Sequence, residues 1–128
     1  MPLTTLVVED KSTIRQAIVK LTSEHPKISV GAEFDDVQST VDYLLEGGKA
    51  DALFLDIKLL GGYAWDVLRA LRAADKIIPP VVLISAEEER GHTETLLREF
   101  RRQVVDYYYK PFHQKWRQRQ NETVRLIE

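Results

Sequence analysis

Three apolar runs in this chain of 128 residues each stop on a charge. Leu6-Val7-Val8 runs into Glu9 and Asp10, Leu53-Phe54-Leu55 into Asp56, and Tyr107-Tyr108-Tyr109 into Lys110-Pro111. Short runs of this kind suit strands of a parallel sheet covered on both faces. If these runs are parallel strands, their carboxyl ends share one edge of the sheet. Three carboxylates and one ammonium then converge in a single cleft. Open α/β sheets bind their ligands at that edge. The feature constrains fold and chemistry together.

The segments between the runs read as helices. Thr13 to Ser23 carries Ile14, Ala17, Ile18 and Leu21 at helical spacing. Ser12 or Asp10 is the expected cap, and His25-Pro26 the stop. Ile28 to Phe34 alternates like a strand near an edge. Asp35 and Asp36 open a second helix, with Val37, Val41, Leu44 and Leu45 on one face and Gly47-Gly48 as its stop. Ala52 to Leu55 is a central strand. Tyr63 to Ala73 is a third helix, Val81 to Ile84 a fourth strand, Glu87 to Arg102 a charged fourth helix, and Val104 to Tyr109 a fifth strand. The fifth helix starts at Phe112, with Trp116, Val124 and Ile127 near one face. Five β–α units predict an α/β fold: a three-layer α-β-α sandwich around a five-stranded parallel sheet. Its expected strand order is the flavodoxin-like 2-1-3-4-5. The first and third strands are then neighbours, and Glu9, Asp10 and Asp56 meet.

Composition excludes several classes. The length fits one domain, and we expect residues 1–128 to be a single one. The chain has no cysteine, so thiolate chemistry and disulfides are absent. A net charge of −2 gives no basis for indiscriminate attraction to nucleic acid or membrane. The start, Met1-Pro2-Leu3-Thr4-Thr5, does not read as a signal peptide. No apolar stretch is long enough to span a bilayer. The expected location is the cytoplasm.

Clustered carboxylates repel, and their pKa values rise unless a cation neutralises them. No His or Cys accompanies the three, so a soft metal is disfavoured. All-oxygen ligation suits Mg²⁺, which keeps much of its own water. Lys110 adds a second positive charge, and Ser85, at the end of the fourth strand, adds a hydroxyl. A carboxylate can act as a nucleophile toward phosphorus. The cleft thus holds a nucleophile, a metal site, a cation and a donor, the parts phosphoryl transfer uses.

In order and spacing this set resembles the receiver domain of two-component response regulators. The resemblance rests on Val7-Val8-Glu9-Asp10, on Leu53-Phe54-Leu55-Asp56, on Val81 to Ser85-Ala86, and on Tyr107 to Phe112 around Lys110-Pro111. It implies that Asp56 accepts a phosphoryl group from a sensor histidine kinase or phosphotransfer protein. It implies Mg²⁺ held by Glu9 through water, by Asp10 and Asp56, and by the backbone carbonyl of Lys58. Ser85 and Lys110 then contact the phosphoryl oxygens, and Tyr107 is the aromatic that changes rotamer. The implied output is a remodelled face of fourth helix, fifth strand and fifth helix. That face would control a partner, a homodimer or an attached output domain in transcriptional regulation, as in LytTR-associated receivers, which the run from Asp106 to Pro111 is similar to. Nothing here reads base edges, so direct nucleic-acid contact is not expected.

The alternatives are a single-domain relay receiver and, less favoured, an aspartate-nucleophile phosphatase. The phosphatase needs a second aspartate two residues after the nucleophile, where Lys58 stands. We therefore expect no enzyme beyond slow self-dephosphorylation. The chain departs from the family after Asp56, where Leu60 and Ala64 replace the usual proline and glycine around Gly61-Gly62. A glycine at positive φ is expected to make that turn. The fourth helix is expected to be extended or shifted, and an ion pair between Lys58 and Glu87 is expected across the cleft mouth.

Overall fold

In the computed structural model, which describes residues 2–128, strands and helices alternate along nearly the whole chain. The order is β1 (Leu3–Val8), α1 (Ser12–Ser23), β2 (Ile28–Phe34), α2 (Val37–Leu45), β3 (Ala52–Asp56), β4 (Lys58–Leu59), β5 (Gly62–Tyr63), α3 (Ala64–Ala73), β6 (Val81–Ser85), α4 (Arg90–Glu99), β7 (Val104–Tyr109) and α5 (Phe112–Ile127). Met1, where the N-terminal reading begins, lies outside the described residues. The main sheet is parallel throughout and ordered β2-β1-β3-β6-β7. Because β4 and β5 form a separate small hairpin, this is the expected order 2-1-3-4-5.

Strand alternation builds two cores. Leu6, Val8, Leu53, Leu55 and Leu83 face α2, α3 and α4 with Val41, Val67, Leu68 and Leu96. Val7, Phe54, Val82, Ile84 and Tyr108 face α1 and α5 with Ile18, Phe112 and Trp116. Every residue of β3 and β6 is buried, as their unbroken apolar runs require. Trp116 packs against Phe54, Tyr108 and Phe112, and its Nε1–H donates to the Leu21 carbonyl at 3.2 Å. No helix among the described residues is long and apolar enough to cross a membrane.

Two local expectations are corrected, and a third is met with added order. First, neither Asp10 nor Ser12 caps α1; Lys11 stands at the N-cap without a side-chain bond, and its N–H donates to Glu9 Oε2 at 3.2 Å. Asp10 is thereby left to the cleft. Second, the fourth helix is shorter than expected. A 3₁₀ turn spans Glu87–Glu89, and α4 ends at Glu99 because Phe100 buries its ring and the chain reverses into β7. Third, the segment after Asp56 turns on glycines at positive φ, as expected, and it gains strand pairing as well. It folds as the β4–β5 hairpin, with Gly61 at φ 81° and Gly62 at φ 152° making the turn. Leu60 anchors the hairpin tip through backbone bonds with Asp35 and Val37. These bonds and the glycines stand in for the missing proline.

Candidate functional site

The parallel register delivers the charged strand ends to one edge. Val8 lies beside Leu55 in adjacent β1 and β3, so the residues that follow converge. Carboxylate oxygens of Glu9, Asp10 and Asp56 all lie within 4.8 Å of one another. Asp10 and Asp56 line a cleft of about 260 Å³ whose walls also include Lys58, Glu89 and Lys110. Glu9 is wholly buried, and Asp56 is 4% exposed. Asp56 Oδ1 accepts from the Ile57 N–H at 2.9 Å, while Oδ2 faces Lys110 Nζ at 3.6 Å. Lys110 Nζ also stands 2.8 Å from Glu9 Oε1. That contact is a charge pair without hydrogen-bond alignment, so Glu9 Oε1 remains a buried oxygen with no directed donor.

Three carboxylates against one ammonium leave excess negative charge. Burial pushes Asp56 up to about 8, reinforced by hydrogen bonding to Glu9 and by its charge, with Lys110 opposing. Asp10 is raised for the same reasons, burial first and then Glu9. Burial also works against ionised Glu9, but hydrogen bonding with Asp10 and Asp56 and the ammonium of Lys110 outweigh that and hold it below the usual carboxylate range. Lys110 would lose its proton more easily through burial alone, yet Glu9 and Asp56 hold its pKa above the ordinary lysine value. The cluster therefore keeps protons that a hard cation would displace. Oxygen-only donors, close spacing and a buried Glu9 oxygen with no aligned hydrogen-bond donor fit a small divalent ion.

The remaining expected residues sit as follows. The Lys110 N–H bonds the Ser85 carbonyl at 2.8 Å, fixing the end of β7 against the end of β6. The Ser85 hydroxyl is buried and bonded to the Thr93 hydroxyl at 2.9 Å, so it is tied to α4. Tyr107 is 46% exposed, its ring edge-on to Tyr109 on the outer side of β7. It lines a groove of about 550 Å³ with Leu97, Arg98 and Arg101. The expected Lys58–Glu87 pair does not form. Lys58 Nζ meets Glu89 Oε1 at 3.5 Å, and Glu87 pairs with Arg90. The 3₁₀ turn causes the exchange, since it aims Glu89 into the cleft and leaves Glu87 at the surface.

Sequence reasoning missed three groups. Thr93 is buried behind Ser85, and nothing in a lone helical threonine marks it. Glu89 Oε2 accepts from His92 Nδ1, and His92 rests on Tyr63 and Trp65. Glu89 is held ionised by that bond, against burial and with help from Lys58. The third group is a buried polar chain. Asp106 accepts from Arg119 and, at 2.6 Å, from the Thr123 hydroxyl, which is also bonded to the Tyr108 hydroxyl. A charged residue inside the run Val104-Val105-Asp106-Tyr107 was the available signal.

Comparisons with known proteins agree with this geometry. The response regulator receiver domain family matches residues 5–117. The sensory transduction protein LytT of Enterococcus faecalis is 30% identical over 110 residues, covering 86% of this chain and 43% of that protein. The chain thus spans less than half the length of LytT. The chemotaxis protein CheY of Pseudomonas aeruginosa is 32% identical over 108 residues, covering 84% of this chain and 83% of that protein. Among solved structures, the receiver domain of AraT from Geobacillus stearothermophilus superposes with a TM-score of 0.79 at 22% identity, covering 99% of this chain and 94% of that chain.

Proposed function

Because the chain belongs to the response regulator receiver domain family, we propose that it is a phosphorylation-activated switch of two-component signalling with Asp56 as the acceptor. The observation that carries this is the setting of Asp56: buried, fixed at one oxygen by the Ile57 N–H, and facing Lys110 with the other. In the transfer, an Asp56 oxygen forms a bond to phosphorus. The bond from phosphorus to the kinase histidine nitrogen breaks, and the imidazole leaves with the electron pair. The Lys110 ammonium offsets charge on the incoming oxygens. Glu9, Asp10 and Asp56 are the residues that would hold Mg²⁺, with the Lys58 carbonyl as the family's further ligand. When bound, Mg²⁺ would neutralise charge on the phosphoryl group.

The readout follows from Ser85. Its hydroxyl has one buried partner, Thr93. A phosphoryl oxygen competes for that hydroxyl and frees α4 from β6. Tyr107 then has room to turn inward, and the groove along α4 and β7 changes shape. This is a local charge event biasing a two-state element. We assign the partners as a histidine kinase or phosphotransfer protein on the cleft side. On the α4–β7–α5 side we assign a second copy, an output domain or another protein. No enzymatic turnover beyond slow self-dephosphorylation and no direct nucleic-acid contact are assigned. Similarity to a CheY is the ground for the second reading of the output, a relay that acts by protein–protein interaction. The test is incubation with Mg²⁺ and acetyl phosphate, read by intact mass. Wild type gains one phosphoryl group and Asp56→Asn gains none. No gain in wild type, or an equal gain in the variant, overturns the assignment.

A further inference from the structure

Helix α4 is tied to the α3 side at both ends. At its C-terminal end Glu99 takes a forked contact from Arg69 and a second from Arg72. At its N-terminal end the contacts reach the β4–β5 hairpin that follows Asp56. Lys58 Nζ pairs with Glu89 Oε1 at 3.5 Å, and His92 Nδ1 donates to Glu89 Oε2. His92 in turn lies against Tyr63 at 4.9 Å and Trp65 at 5.7 Å, two rings stacked on each other at 4.5 Å. Glu89 therefore has both oxygens engaged, and it stands in the wall of the Asp56 cleft.

We propose that Glu89 is a positioning residue that latches the first turn of α4 across the cleft mouth, holding Lys58 away from the incoming phosphoryl group. The proposal rests on the phosphoacceptor reading above. Its physical basis is competition for one ammonium. The phosphoryl donor is an anion that must approach a cleft already rich in carboxylates. Lys58 is 57% exposed and long enough to turn toward it, but in the resting protein it is neutralised by Glu89. A phosphoryl group on Asp56 offers Lys58 a more highly charged partner, so the pair with Glu89 opens. His92 then loses the carboxylate that orients it on the aromatic pair. Phosphorylation would thus reach α4 by a route separate from Ser85 and Thr93.

The test compares phosphorylation rates by acetyl phosphate and Mg²⁺, read by intact mass, in a double-mutant cycle. Glu89→Gln keeps the shape and removes the charge, and it should accelerate phosphorylation roughly three- to tenfold. The acceleration should vanish in a Lys58→Ala background, where the double variant and Lys58→Ala match. In the Mg²⁺-free protein the indole resonance of Trp65 should shift in Glu89→Gln, as His92 is released. A wild type that is phosphorylated at the same rate as Glu89→Gln overturns the latch alone. Acceleration that persists without Lys58, or an unmoved Trp65 signal, does the same. A wild type that takes no phosphoryl group at all overturns the acceptor reading and the latch with it.

Discussion

Asp56→Asn should make the cation-free protein more stable, and more so as the pH rises. The side chain is 4% exposed and its folded-state pKa is pushed up to about 8, from an ordinary aspartate value of 3.8. Between these two values the folded protein keeps a proton that the unfolded chain has lost. Fewer protons on the unfolded state make stability fall as pH rises through that window. Below about pH 4 both states are protonated and the penalty disappears. Each pH unit of separation is worth up to 1.36 kcal/mol, so the ceiling at the top of the window is about 6 kcal/mol. Lys110 is near enough to follow the charge, and an effective dielectric near 20 softens the burial cost. We therefore expect a gain of about 2 kcal/mol near pH 8 and almost none near pH 4. Asn supplies the same shape and, like protonated Asp56, a donor for Glu9. The assay is urea unfolding in chelator at several pH values, with wild type and variant compared by midpoint at constant slope. A variant no more stable than wild type near pH 8 refutes the reasoning. So does a gain that is flat with pH, because it would have to come from packing.

Three further outcomes are expected. Mg²⁺ should raise the wild-type unfolding temperature more near pH 8 than near pH 5, since it competes with protons held by Asp10 and Asp56; an equal rise at both, read by differential scanning fluorimetry, counts against the cluster as its site. Thr93→Val should cost about 1–2 kcal/mol by leaving the buried Ser85 hydroxyl without a partner, measured by urea unfolding. Thr123→Val should cost about 1–3 kcal/mol, because one hydroxyl serves both Asp106 and Tyr108; a change within error would show that water replaces it.

What the sequence disclosed, and what it withheld, divides along physical lines. The sheet was legible because β3 and β6 are buried on both faces and so carry unbroken apolar runs. Asp56, Glu9, Asp10 and Lys110 were legible because they sit one step beyond such runs, where strand direction alone brings them together. The hairpin after Asp56 was not, because its order comes from bonds to Asp35 and Val37, residues distant in the chain. The partner of Lys58 was missed for a related reason. Glu87, Glu88 and Glu89 are equivalent as letters, and only the 3₁₀ turn decides that Glu88 and Glu89 line the cleft, with Glu89 the one that meets Lys58. Thr93 gave no signal because its role exists only where α4 packs behind β6. The cap of α1 was misread because Asp10 carries the right chemistry for a cap but is directed to the cleft instead.

The order of the sheet has a consequence for how the protein is made. β1 and β3 are neighbours, so Glu9, Asp10 and Asp56 are all carried by strands whose sequence is complete by residue 56. Lys110 emerges 54 residues after Asp56, which at ribosomal speed is about 3–10 s later. Until then the three carboxylates lack the ammonium that stands against Glu9 and Asp56 in the finished fold, and protons or ions from the surrounding solution help to offset their charge. When β7 docks beside β6, the backbone bond from Lys110 to Ser85 places the ammonium as well. Docking of β7 therefore completes the sheet and the chemistry of its edge in one step.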